Sequence, residues 1–187
     1  TLTYVAAIAA DHPELFAPDM AREWIEGAIE AARWFEDVGA IAWQMISDYE
    51  HCMPHTILVN RAGDRFCDDS FHPAVIKGVM ASTADGRRPN LPFFMIWDDW
   101  HHQRYGLGIT GPGAPYADGL VSTAATLGEL AVALDIDPEG LVSTVQRFNT
   151  HAERGDDPEF GRGTNASVRT FRGDGDHKPN PNVGPLV

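Results

Sequence analysis

The sequence predicts an α+β fold, a small mixed sheet containing a β-hairpin and packed by several helices. Three observations predict it. Thr56–Asn60 (TILVN) and Phe93–Trp97 (FFMIW) are continuous apolar runs of strand length, the first followed by a glycine turn. From Asp19 onward apolar residues recur at three and four positions. Thr126 and Asp137 each open a further apolar-periodic stretch with a capping signature.

Taken in order, residues 1–10 are short and apolar and suit the first turns of a helix, and Asp11-His12-Pro13 offers a new start. Met20, Trp24, Ala28, Ala31 and Phe35 form a helical stripe that reads as core, and Gly39 is a stop. An apolar run from Ala40 ends in Asp48-Tyr49-Glu50. Next comes the predicted hairpin: Thr56–Asn60, a turn at Asn60-Arg61-Ala62-Gly63 where glycine supplies positive φ, and a return through Asp64–Cys67. Pro73–Met80 suits a short helix, Ser82–Asn90 is a polar loop, and Phe93–Trp97 is a buried strand. Thr126 and Glu129 match a capping box, and Asp137-Pro138 pairs a cap with proline at the first helical position. After Gly155 the chain reads as loop.

At 187 residues the chain has room for one domain with a sizeable core. Twenty-seven acidic against fourteen basic residues give a net charge of −13, which argues against a nucleic-acid partner. No apolar run approaches the roughly 20 residues of a membrane span, and the N-terminus lacks the basic start of a signal peptide. Two cysteines make no disulfide framework, so a cytoplasmic setting is expected. The chain opens at Thr1 without methionine, which reads as an excised piece.

Several motifs lead nowhere. Gly106-Leu107-Gly108-Ile109-Thr110-Gly111 matches G-x-G-x-x-G, but the preceding strand ends near Trp97 and Pro112 and Pro115 bar a following helix, so no dinucleotide cradle is expected. His101 and His102 are adjacent and point apart, and Asp174-Gly175-Asp176 lacks the closing glutamate of a calcium loop, so no metal site is predicted. There is no G-x-S-x-G elbow.

The stretch Pro54–Pro73 (PHTILVNRAGDRFCDDSFHP) carries more. Its pattern of valine-asparagine, glycine, arginine-phenylalanine and a following acid resembles the start of the substrate-capping domain in FAD-dependent enzymes of the fumarate reductase, succinate dehydrogenase and 3-ketosteroid dehydrogenase family. The blocks ending in Asp98 and Arg104-Tyr105, Asp157–Gly163 and Lys178–Pro185 resemble later parts of the same domain, and the likeness is strongest over 54–73, 93–105 and 126–186. In that family the Asp-Tyr pair and the valine-asparagine hairpin lie far apart, separated by FAD-binding sequence. The resemblance therefore implies one capping domain over 1–187, made of two segments (about 1–50 and 52–187) with the FAD-binding domain omitted.

The resemblance also implies an enzyme that adds or removes two hydrogens across a C–C bond next to a carbonyl. FAD would be bound mainly by a domain absent from this chain, and the partners would be that domain and a small apolar carbonyl compound. The isolated chain is expected to be inactive. Fumarate reductases carry a proton-donating arginine just after the acidic knot, and 3-ketosteroid dehydrogenases a proton-accepting tyrosine; here His72 stands there instead, and a histidine can do either job. Tyr49 matches a family tyrosine that positions the proton-transfer group. Phe71, Trp97 and Trp100 are the expected substrate-lining residues, and their apolar bulk favours a ketosteroid-like ligand over a dicarboxylate. Arg65 and Asp69 are expected to hold the hairpin by charge-assisted hydrogen bonds. The alternative from another class is a non-catalytic ligand-binding or interaction module sharing the cap fold.

Overall fold

The computed structural model describes residues 50–108, 110–117 and 119–187, all within the unit Met45–Val187. The helical stripe after Asp19, the apolar start at 1–10 and Tyr49 lie outside the described residues. A 3-10 turn at Glu50–Cys52 leads into β1 (Thr56–Asn60), α1 (His72–Met80), β2 (Phe93–Trp97) and α2 (Asp99–Tyr105). These are followed by α3 (Leu127–Leu134), α4 (Pro138–Ala152) and α5 (Ala166–Phe171). The architecture is α+β.

β1 pairs with β2 in an antiparallel two-stranded sheet, Thr56 opposite Trp97 and Asn60 opposite Phe93. This corrects two expectations: among the described residues the sheet is antiparallel rather than mixed, and Asp64–Cys67 is not a returning strand. The turn itself forms, with the Gly63 N–H donating to the Asn60 carbonyl at 3.0 Å and the Asn60 N–H to the Asp64 carbonyl at 3.0 Å. Beyond it, the Leu58 N–H donates to the Asp69 carboxylate at 2.9 Å. A side chain has taken a ladder position that a returning strand would need, and a buried N–H accepts either partner.

Both faces of the sheet are covered, which explains why its strands read as unbroken apolar runs. Ile57, Val59 and Ile96 pack with Leu141, Val145 and Phe148 of α4 and Ala131 of α3. Leu58 and Met95 pack on the opposite side with Cys67 and Val75 of α1. The helices start where the caps predict. Thr126 Oγ1 accepts the Glu129 N–H, and Asp137 Oδ1 accepts those of Glu139 and Gly140. α5 was not legible in the sequence; Asn165 caps it by accepting from Ser167 and Val168.

The β1 turn is seated on the N-terminus of α4. The Asp137 N–H donates to the Arg61 carbonyl at 2.8 Å. Gly63 has φ 77°, and a Cβ there would lie 2.2 Å from the Leu141 nitrogen. Gly63→Ala therefore combines left-handed backbone strain with a collision against main chain. We expect it to destabilise the protein by at least about 2 kcal/mol, read as a lowered urea midpoint with unchanged slope.

Candidate functional site

Asp69 is fully buried between two guanidinium groups. Arg65 reaches it through Nη2 at 3.1 Å and Nε at 3.3 Å, and forms a two-pronged pair with Asp157 at 2.9 and 2.8 Å. Arg162 donates to Asp69 at 2.6 Å. The expectation for Arg65 and Asp69 holds, and the structure adds Asp157 and Arg162, which sequence reasoning passed over. Burial alone would raise the Asp69 carboxyl, but Arg65 and Arg162 outweigh it and hold it well below the usual carboxylate range. Asp157 is likewise lowered, burial being overcome by the Arg65 pair.

The knot fixes the segment in front of β1. Arg162 donates to the carbonyls of His51 and Met53 at 3.0 and 2.6 Å, and through Nε to that of Asn182 at 2.7 Å. Asn182 Nδ2 holds the Cys52 carbonyl at 2.9 Å, and His101 Nδ1 the Pro54 carbonyl at 3.0 Å. Every carbonyl from Glu50 to Pro54 thus has a donor, the Met53 N–H serving Glu50.

Two groups of the expected site residues emerge. His72 is the first residue of α1 and Phe71 its N-cap position, both exposed, Phe71 at 36 %. Beneath them lies His51, 4 % exposed, its ring stacked on that of His72 with centroids 6.0 Å apart. Trp97 and Trp100 stand in a second group around His101 and Tyr105. Trp100 stacks on His55 at 4.1 Å and receives the Arg104 guanidinium at 5.5 Å. His55, at φ 64°, bonds Asp98 at 3.0 Å, and Asp98 also accepts the N–H of Val187. Arg104 and Tyr105 both donate to Asp174 at 2.7 Å, a fold-holding role.

The described residues offer no dinucleotide cradle at Gly106–Gly111. Gly106 ends α2, and Leu107 bridges back to Thr110. Among the described residues no cluster of His, Cys, Asp or Glu could hold a metal, and no helix is long and apolar enough to cross a membrane. Cys52 and Cys67 are both buried.

No family model matches the chain. Its relatives are informative. The chain is 37 % identical over 141 residues to 4-oxocyclohexanecarboxylate 2-dehydrogenase of Sinomonas cyclohexanicum, covering 74 % of this chain and 24 % of that protein. It is 32 % identical over 165 residues to 3-oxosteroid 1-dehydrogenase of Mycobacterium tuberculosis, covering 83 % of this chain and 29 % of that protein. The crystal structure of 3-ketosteroid delta1-dehydrogenase from Sterolibacterium denitrificans in complex with 1,4-androstadiene-3,17-dione superposes with TM-score 0.62 at 28 % identity, over 74 % of this chain and 26 % of that one.

The chain is homologous to one part of these 3-oxosteroid and 4-oxocyclohexanecarboxylate dehydrogenases. It spans about a quarter of the length of the curated relatives it matches. The two conspicuous histidine groups, His51 with His72 and His55 with His101, both lie on or against the pinned segment at 50–55. His51 lies just before the first matched block and carried no signal; His101 lies within the block 93–105 and drew notice only as a neighbour of His102.

Burial lowers His101 to about 4, against an ordinary value of 6.5, so the folded protein holds it neutral. Unfolding on acidification then takes up a proton between those values: stability from this residue is intact above pH 6.5 and is lost as pH falls to 4. The loss amounts to about 3 kcal/mol. Denaturant titrations at pH 7 and pH 4.5 should reveal it, and His101→Asn, which keeps a donor for the Pro54 carbonyl, should flatten the dependence.

Proposed function

We propose that this chain is the substrate-capping domain of an FAD-dependent dehydrogenase acting on a cyclic ketone, with the FAD held by a part of the parent enzyme outside this chain. The observation that carries the reading is the chemistry common to the relatives' names. In a 3-oxo ring dehydrogenated at carbon 1 and a 4-oxo ring dehydrogenated at carbon 2, the new double bond lies between the carbons α and β to the ketone. The α C–H is acidified by the carbonyl and leaves as a proton, while the β hydrogen leaves with its electron pair.

FAD, when bound by the parent, is the acceptor for that pair and the reason a separate domain is needed. The contribution of this chain is the proton. His72 takes it: an imidazole at an exposed helix start, next to Phe71. Tyr49 is proposed to orient His72 or the ketone oxygen, as its match to the family's Asp-Tyr pair implies. Phe71 lines the apolar side of the ligand beside His72, and Trp97 and Trp100, in the second group, line another part of it. Closure of the cap excludes water and fixes the reacting carbons in register.

The same reading makes residues 1 to about 50 and about 52–187 two segments of one capping domain.

The test uses the full-length parent protein. It should show a visible flavin spectrum, and His72→Ala should retain that spectrum while losing turnover of a cyclic ketone by about 10²-fold or more. A colourless protein removes the enzyme reading and leaves the non-catalytic module; unchanged turnover clears His72.

A further inference from the structure

We propose that His51 is a positioning residue for His72, a buried imidazole that fixes the plane of the exposed ring and leaves it as the one proton carrier of the pair. The proposal rests on the reading of His72 as the proton-transfer residue.

The geometry begins at Asp69. His51 Nδ1 is hydrogen-bonded to the Asp69 backbone carbonyl, and a carbonyl only accepts, so the ring proton sits on Nδ1 and the lone pair on Nε2. Asp69 is in turn clamped by Arg65 and Arg162, and Arg162 also holds the His51 carbonyl. The imidazole is therefore anchored at its ring and at its backbone to the buried Asp69–Arg162 pair. From there its plane lies 29° from that of His72, with centroids 6.0 Å apart. His51 Nε2 is buried and has no hydrogen-bond partner among the described residues. Like His101, whose Nε2 is also without a partner among the described residues, His51 is held through Nδ1; what sets His51 apart is the His72 ring beside it.

The surrounding charges keep His51 neutral. The groups that face it are Asp69 and Arg162, the Cys52 thiol at 3.7 Å, and His72 itself. Burial dominates and lowers His51, with the Arg162 and His72 charges acting in the same direction, against the Asp69 carbonyl and carboxylate. A neutral ring under His72 gives it a flat partner without a second positive charge. His72 can then gain and lose a proton beside a fixed surface, as a proton-transfer group needs.

The experiment is done on the full-length flavoprotein with two substitutions that separate ring from nitrogen. His51→Asn keeps a donor for the Asp69 carbonyl and removes the ring. His51→Phe keeps the ring and removes both nitrogens. The proposal expects His51→Asn to lower kcat about 10-fold with KM changed less than about twofold. It also expects the pH profile of kcat to move by about half a unit or more, and His51→Phe to recover most of the rate. The His72 ring resonances, followed by NMR, should shift in His51→Asn and stay near wild type in His51→Phe. Normal kcat, pH profile and His72 resonances in His51→Asn, with only a lower Tm, would overturn the proposal and make His51 a structural residue. If His51→Asn does not fold, His51→Gln takes its place. A fully active His72→Ala enzyme sinks the proton-transfer reading of the parent site instead; the His72 resonances then decide separately whether His51 orients the ring.

Discussion

One buried carboxylate sets the arrangement of everything described. Asp69 accepts from Arg65, from Arg162 and from the Leu58 main-chain N–H. That single group joins the free edge of β1, the loop after the turn and the loop at Asp157–Arg162. Hydrophobic residues of similar volume could stabilise such a core as well or better, since desolvating four charges is costly. What they could not do is specify direction. Each guanidinium offers five donors in a fixed fork, and Arg162 spends four of its contacts on Asp69 and on the carbonyls of His51, Met53 and Asn182. The knot determines where main chain goes in a region with almost no regular secondary structure.

From that constraint the site follows. The segment 50–55 is neither helix nor strand beyond its short 3-10 turn, yet its carbonyls are held one after another. Two buried neutral histidines, His51 and His101, result from it, each donating through Nδ1 to a main-chain oxygen. Over one of them stands His72, at the start of a helix whose apolar side packs on the sheet through Val75. A rigid floor with one exposed imidazole on it is a sound platform for proton transfer.

The strands, the turn, α1, α3 and α4 were legible because each is signalled locally. Two unbroken apolar runs, a glycine where φ is positive, and capping residues at Thr126 and Asp137 all act within a few positions. The partner of β1 was not legible. The sequence offers Asp64–Cys67 as the nearest candidate, but the Asp69 side chain, eleven residues on from Leu58, takes a position such a strand would need, and the strand that does pair is β2, beyond α1. The knot was half legible: Arg65 and Asp69 share one motif, whereas Asp157 and Arg162 arrive from about ninety residues away. α5 has a cap but too short an apolar pattern to distinguish it from loop. Of the site, His72 could be named from the motif it interrupts. His51 could not, because its role depends on a carbonyl and a ring that only the folded chain brings to it.

If this chain caps a flavin enzyme that dehydrogenates a cyclic ketone, as proposed, anaerobic flavin reduction in the full-length parent will reveal it. Mixing the oxidised protein with a 3-oxosteroid or with 4-oxocyclohexanecarboxylate should bleach the flavin absorbance and yield the α,β-unsaturated ketone in equal amount. A flavin that dithionite reduces normally, but that neither ketone bleaches, would contradict the account.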